Sequence, residues 1–526
     1  MYKNPGFKKL TAMLILFSMI FYTAACSNNG GGTAKTAGGA VAPSKVTIAR
    51  PVDSDNLDPV TQSQNANIWV LNLLMNGLVK SSDDGTKIEP DLAKSWDISP
   101  DGLTYTFHLL DGLKFSDGTA VKGEDWIFSL TRARDEKGSI WTSNLKAITK
   151  IAAPDDKTVV LTLDQPFVPL LAALAMFNAA VLPKAYFEKV GVEGFSQKPA
   201  GTGPYMLDKW VKGEYISLKK NPNYRVQGLP KTDEIKLTVV PDDNTRMLQL
   251  QSGDIDVATF VPYNKMKELS SNPDYTVQNF QAAQVNYLTL NTAKKPLDNV
   301  KVRQALNYAI DKQGLVNAVL NGYGTLGTTF FPSGLMYYDK NLTPYKQDLE
   351  KAKSLLAEAG FANGGIKLEL LTRSGDAINN QVSVILKDSF SKIGVDLTIK
   401  QLESATVSSM QRSFNYDLCL NGWSSDMVDP AQVVDRMVVY NDATRAFYTG
   451  WKDDTAIQMA LDAKKQQDAV KRQEMYSKIQ GIHASATPLI TLYNSGYPVI
   501  MKKNITGFSQ TPLGNYRFEN LEKKSK

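Results

Sequence analysis

The order of secondary-structure signals predicts an α/β protein of more than one domain. Three observations carry this. Strand and helix patterns alternate after Asn291, the first half is rich in strands and tight turns, and roughly 500 residues exceed what one hydrophobic core organises. The chain has 526 residues, 43% of them hydrophobic and 21% charged, the balance of a large globular protein.

From residue 95 to about 130, Pro-Asp-Gly and two Asp-Gly pairs separate short alternating runs such as Thr104-Tyr105-Thr106-Phe107, the signature of hairpins. Further strands are predicted at 158–163, 215–219 and 234–240. Over 300–321, Val302, Leu306, Ala309, Ile310, Val316, Val319 and Leu320 recur at helical spacing, and Gly322 supplies a left-handed stop. A helix at 348–359 follows, then a strand at 366–372, a helix at 378–393 and a strand at 395–402. A strand at 416–422, helices at 454–466 and 470–485, and a strand at 489–493 complete the series. Strand–helix–strand order implies a parallel sheet with right-handed crossovers.

The N-terminus sets the compartment. Lys3, Lys8 and Lys9 precede an apolar run from Leu10 to Ala25, shorter than the about 20 residues a membrane span needs. The run ends in Thr23-Ala24-Ala25-Cys26. Residues 1–25 are expected to be a signal peptide, and Cys26 is the expected site of lipid attachment, since the segment resembles a bacterial lipobox. An ordinary signal peptide with an incidental cysteine is the plainer alternative. Residues 27–44, SNNGGGTAKTAGGAVAPS, are too small and polar to pack, and a tether of about 18 such residues reaches roughly 23 Å. No second long apolar run follows, so the mature chain is expected to be held to the membrane by acyl chains.

Net charge is +6, half of it from the three leader lysines, too small a bias to point to nucleic acid. With two cysteines and one of them acylated, no intrachain disulfide is expected, and Cys419, set between leucines, reads as a small buried hydrophobe.

Two histidines, His108 and His483, lie far apart, and there is no zinc, P-loop, dinucleotide or nucleophile-elbow motif. Nothing in the sequence argues for an enzyme. In parallel α/β sheets, ligands sit beyond the carboxyl ends of the strands. The strand at 366–372 runs into Arg373, and the strand at 416–422 runs into Trp423-Ser424-Ser425-Asp426. A cation, an aromatic ring and an anion at one rim suit a zwitterion. Pairing with neighbours, or simple solvation, is the bland alternative for both charges.

A run of linear motifs narrows this. Leu57-Asp58-Pro59, Asn76-Gly77-Leu78-Val79 and PDLAKSWDISPDGLTYTFHLLDGLKFSDG at 90–118 come first. Gly201-Thr202-Gly203-Pro204-Tyr205, Asn221-Pro222-Asn223-Tyr224 and LQSGDIDVA at 250–258 are next, then VKVRQALNYAID at 300–311, Gly422-Trp423-Ser424-Ser425-Asp426 and Asp429-Pro430. In this order the chain resembles the family 5 extracytoplasmic solute-binding proteins, the peptide- and nickel-binding components of ABC importers.

The resemblance implies a two-lobed periplasmic-binding-protein-like fold with two crossing segments, near 287–291 and 493–495, and an extra sheet-rich subdomain. Lobe one would take residues 45–80, 200–290 and 495–526, the subdomain 81–199, and lobe two 291–494. It implies that Asp426 binds a ligand ammonium, that Arg373 takes a ligand carboxylate, and that Trp423 forms a wall of the side-chain pocket. Gln64 and Asn65 would face the ligand from lobe one and Tyr493 from the second crossing. It also implies no catalytic residue, no cofactor and no bound metal, a monomer, ABC permease subunits as partners, and an extracytoplasmic, lipid-anchored location. Within this fold a carrier of nickel chelates, oligosaccharides or another solute is an alternative, as is a peptide-sensing receptor without import.

Overall fold

A computed structural model of the protein describes residues 43–525, so Cys26, the leader and most of the tether lie outside the described residues. Two large sheets organise the chain. One is seven-stranded and mixed. Lys45–Arg50 runs parallel to Glu234–Val239 and to Val257–Thr259, and the antiparallel strands Tyr205–Val211, Tyr215–Lys220, Tyr275–Gln281 and Gly496–Lys502 complete it. The other is six-stranded, in the order Thr325–Leu326, Leu489–Asn494, Gln284–Leu290, Leu418–Ser424, Ile366–Arg373 and Val395–Leu402. Each is the centre of one lobe.

The six-stranded sheet corrects the expectation of a purely parallel sheet. Ile366–Arg373 is parallel to both of its neighbours, but Gln284–Leu290 pairs antiparallel with Leu418–Ser424 and with Leu489–Asn494. The antiparallel members include the strands by which the chain enters and leaves this lobe. Its two faces are covered separately. Leu288, Leu370 and Leu492 pack under the helices Val300–Ala309, Lys312–Leu320 and Ala377–Ser391, while Val285 and Tyr287 pack against Val434, Trp451 and Tyr476.

The single helix read over 300–321 is two helices. Asp311 interrupts it, because its side chain accepts from the Gly314 backbone N–H at 2.8 Å and caps a new helix. The first passage between sheets also differs from the expected 287–291. Tyr287 to Leu290 are the paired end of the strand Gln284–Leu290, and the chain changes sheets before that strand, at Ala282-Ala283. Strand-like alternation runs from Tyr275 to Leu290, and two alanines leave no mark in such a pattern. The return passage is Ser495, between Asn494 and Gly496, inside the expected 493–495.

A four-stranded antiparallel sheet, Ala93–Ile98, Thr104–Leu109, Thr158–Leu163 and Ile148–Asp155, carries the helix Gly123–Asp135 on one face. Buried Asp58 of the Leu57-Asp58-Pro59 motif clasps Arg132 of that helix with two hydrogen bonds, 2.6 and 2.7 Å, tying this subdomain to the first lobe.

Candidate functional site

The sequence pairs Arg373 with the Trp423–Asp426 rim, and the sheet brings them together. Leu370 and Leu371 stand beside Leu418 and Cys419 in parallel register, which carries Arg373 alongside Asn421. The Arg373 guanidinium donates to the Leu420 carbonyl at 3.1 Å and to Asn421 Oδ1 at 3.3 Å, and Asn421 in turn donates to Thr289 Oγ1 at 2.8 Å. Arg373 is therefore fixed to its own sheet, with several of its donors spent on neighbours. Cys419 is buried as expected, and burial pushes its thiol up to about 12.

Trp423 is the penultimate residue of its strand and half-buried. Its indole N–H donates to Ser425 Oγ at 2.9 Å, and its ring meets Phe447 edge-on at 6.1 Å. Asp426 follows in the loop. It is enclosed on most sides yet still reached by solvent, and burial pushes its carboxyl up to about 7 against a partial offset from Gln432, whose Oε1 also accepts from the Asp426 N–H at 3.2 Å. Among the described residues no cation stands within ion-pair distance of it. The Asp426 charge acts on the phenol of Tyr497, a residue of the other sheet. Tyr497 belongs to an aromatic group with Trp69 and Phe260 on lobe one.

A cavity of about 690 Å³ lies between the sheets, lined by Phe260, Tyr263 and Tyr497 from one side and by Asn286, Asp376 and Tyr493 from the other. Tyr493 is 2% exposed, and burial raises its phenol. Of the sequence-predicted residues only Tyr493 lines this space. Gln64 and Asn65 do not line it and are exposed at the start of the helix Asn65–Leu74, with Gln64 Nε2 donating to Asp55 Oδ2 at 2.9 Å. Asn286 was legible but missed. Gln284 and Asn286 are successive polar positions on the strand face that continues with Leu288 and Leu290.

No group of three His, Cys, Asp or Glu side chains that could hold a metal occurs among the described residues. His483 is buried between Phe330 and Trp451, and burial pulls it down to about 3. His108 lies at the surface, 2.8 Å from Asp97.

A two-lobed molecule with a cavity at its hinge is the architecture of a solute binder, and the sequence matches the bacterial extracellular solute-binding proteins, family 5 Middle, over residues 87–444. The chain belongs to this family. Among its relatives are the probable D,D-dipeptide-binding periplasmic protein DdpA of Escherichia coli K12, 30% identical over 90% of this chain and 93% of the relative, and the glutathione-binding protein GsiB of Escherichia coli O1:K1, 31% identical over 93% and 96%. Among solved structures, the periplasmic binding protein DppA of Helicobacter pylori, in complex with peptide STSA, superposes with a TM-score of 0.76 at 28% identity, covering 91% of this chain and 98% of that one. Family membership places this chain among extracytoplasmic solute-binding proteins. No helix among the described residues is long and apolar enough to cross a membrane.

Proposed function

We propose that this family 5 member captures short peptides outside the cell and delivers them to the permease of an ABC importer, acting by binding without catalysis. The observation that carries the reading is Asp426, a recessed carboxylate with no cation partner among the described residues. A peptide α-ammonium supplies that partner and removes the cost of an isolated buried charge. Trp423 forms a wall beside the first side chain, Arg373 makes the strand end electropositive, and Tyr493 borders the inner cavity. Gln64 and Asn65 meet the peptide backbone from lobe one. Lobe two spans residues 284–494 in this reading, and the protein works as a monomer. The D,D-dipeptide and glutathione binding of the DdpA and GsiB relatives supports a peptide or peptide-like solute.

Calorimetric titration with one dipeptide in free, N-acetylated and C-amidated forms tests it. Free amine is expected to bind and acetylated peptide to fail. Equal binding of both removes Asp426 from the ammonium role, and silence of every form in a ligand-stripped protein removes peptides altogether.

The same reading holds the protein to the outer face of the membrane through acylated Cys26. Cys26→Ser is expected to release the protein from the membrane fraction or to leave an uncleaved precursor. A variant that fractionates and migrates as wild type ends the anchoring proposal.

A further inference from the structure

Arg436 is a cation without an anion. It sits near the end of the helix Ala431–Met437, half-buried. Among the described residues its guanidinium has no carboxylate within ion-pair distance and no hydrogen-bond acceptor. Buried arginines elsewhere do not behave this way: Arg50, Arg132, Arg303 and Arg472 each donate to at least one carbonyl or carboxylate. What Arg436 has instead is aromatic cover. Its guanidinium carbon lies 4.6 Å from the Phe447 ring centroid and 5.7 Å from that of Tyr448. Rings over the flat face hold a guanidinium in place and leave its edge donors free for a planar anion.

Those rings are presented by an unusual piece of backbone. Arg445, Ala446, Phe447 and Tyr448 have φ of 39, 40, 43 and 65°, four consecutive non-glycine residues in the left-handed region. Left-handed non-glycine residues are disfavoured by the contact of Cβ with the carbonyl oxygen and ordinarily occur singly. Outside contacts hold the turn. The Tyr416 hydroxyl donates to the Tyr448 carbonyl at 2.5 Å, and the Arg445 guanidinium lies 3.9 Å from the Phe414 ring centroid. Strain maintained by its surroundings concentrates at binding sites. Here it sets Phe447 between Arg436 and Trp423.

A third observation joins the two arginines. The Tyr287 hydroxyl is buried without a hydrogen-bond partner among the described residues, and the charges of both Arg436 and Arg373 act on it. Two guanidinia act on one orphaned hydroxyl, and neither has a carboxylate partner among the described residues.

We propose that Arg436, braced by Phe447 and Tyr448 and backed by Arg373 and the Tyr287 hydroxyl, receives a carboxylate of the bound solute. The proposal rests on the solute binding at the Asp426 rim. It makes Arg436 the receptor and Arg373 a positioning residue, and it restricts the solutes to those bearing an anionic group.

The test uses ligand-stripped full-length protein and four probes: the dipeptide Ala-Phe, its C-terminal amide, its N-acetyl form, and benzoate. Wild type is expected to prefer the acid over the amide by about 30-fold or more, the usual range for one partner of a desolvated charge pair. Arg436→Ala is expected to erase that ratio by weakening the acid and sparing the amide, and Arg436→Lys to restore part of it. Asp426→Asn is expected to weaken both amine-bearing probes and keep the ratio. If Arg436→Ala does not fold, Arg436→Gln reads the same ratio. An acid-to-amide ratio unchanged in the folded variant overturns the proposal and leaves the peptide reading standing. Benzoate binding to wild type but not to the variant, with no peptide bound, upholds the anion receptor and ends the peptide reading. Wild type that binds neither peptide nor benzoate overturns both.

Discussion

Asp426 and Asp429 lie three residues apart in one loop and face opposite demands. Asp429 is buried and fully answered: both oxygens take Arg472, at 2.5 and 2.9 Å, and Oδ1 also accepts from the Ala431 N–H that opens the next helix. Asp426 has one amide side chain for company, and burial pushes its carboxyl up to about 7. A carboxylate satisfied within the chain holds structure together. One left unsatisfied in a cleft is available to something from outside. The Asp-Pro motif and the aspartate of the G-W-x-x-D motif, so close in sequence, stand in opposite electrostatic settings.

The largest effect expected to separate them is on folding. Asp429→Asn strands the buried Arg472 charge and is expected to cost about 3–5 kcal/mol by denaturant melts. A loss under 1 kcal/mol would remove the distinction. Asp426→Asn is expected to leave folding intact and weaken free-amine ligands by about 2–5 kcal/mol, roughly 30- to 4,000-fold.

The next effect is a pH dependence. Ligand ammonium needs ionised Asp426, so affinity for amine-bearing ligands is expected to fall by up to about tenfold per unit as pH drops below about 7, and to lose that slope in Asp426→Asn. Stability of the empty protein should show the converse. The folded carboxyl is raised above its ordinary 3.8, so between pH 3.8 and about 7 the native state holds a proton that the unfolded chain has released, and stability falls as pH rises. Asp426→Asn is expected to equal wild type near pH 3 and exceed it at pH 8. Equal stabilities at both would mean the carboxylate is answered after all.

The smallest effect concerns Lys312, a cation of the second lobe with no carboxylate in ion-pair range among the described residues; it is 4% exposed, with Nζ 3.4 Å from the Gly327 carbonyl and burial pulling it down to about 7. Lys312→Met is expected to stabilise the protein by on the order of 1 kcal/mol at neutral pH. The gain should be fullest below about pH 7 and vanish towards 10.5, where the unfolded chain also loses its proton. A destabilised variant at pH 7 would show that an unanswered charge can be structural.

The fold was legible where local pattern and tertiary role agree. The strands at 158–163 and 395–402 stand where alternation puts them, because one face of each is buried and the other is not. The break at Asp311 was hidden, since an apolar stripe continues across it and only the capping bond reveals the interruption. The antiparallel hinge strands were hidden for a different reason: direction of pairing is decided by partners more than 100 residues away. At the site, Asp426 and Trp423 could be found because motif and strand end coincide. The proposed role of Arg436 could not be read there, because it rests on contacts with Phe447 and Tyr448 and on the lack of an anion among the described residues. Arg373 ends its strand where the sequence puts it, but the sequence does not show that Asn421 already engages it.

The two passages between lobes run side by side. Gln281 stands opposite Gly496 in one sheet and Asn286 opposite Tyr493 in the other, so the ladder between the two passages lapses from Ala282 to Val285 and over Asn494-Ser495. Two backbones gripped at both ends of a short gap resist stretching and sliding, and leave bending and twisting as the soft modes. Relative lobe movement then has few degrees of freedom, and each lobe returns to the same facing surface. The Ser425 N–H, adjacent to Asp426, donates at 3.0 Å to the carbonyl of Ala283, inside that gap. An occupant pulling on the Asp426 loop thus tugs the pivot itself. Under the proposed function, the state of the pocket is written into the angle of the molecule, a signal that can be read at a distance from the solute.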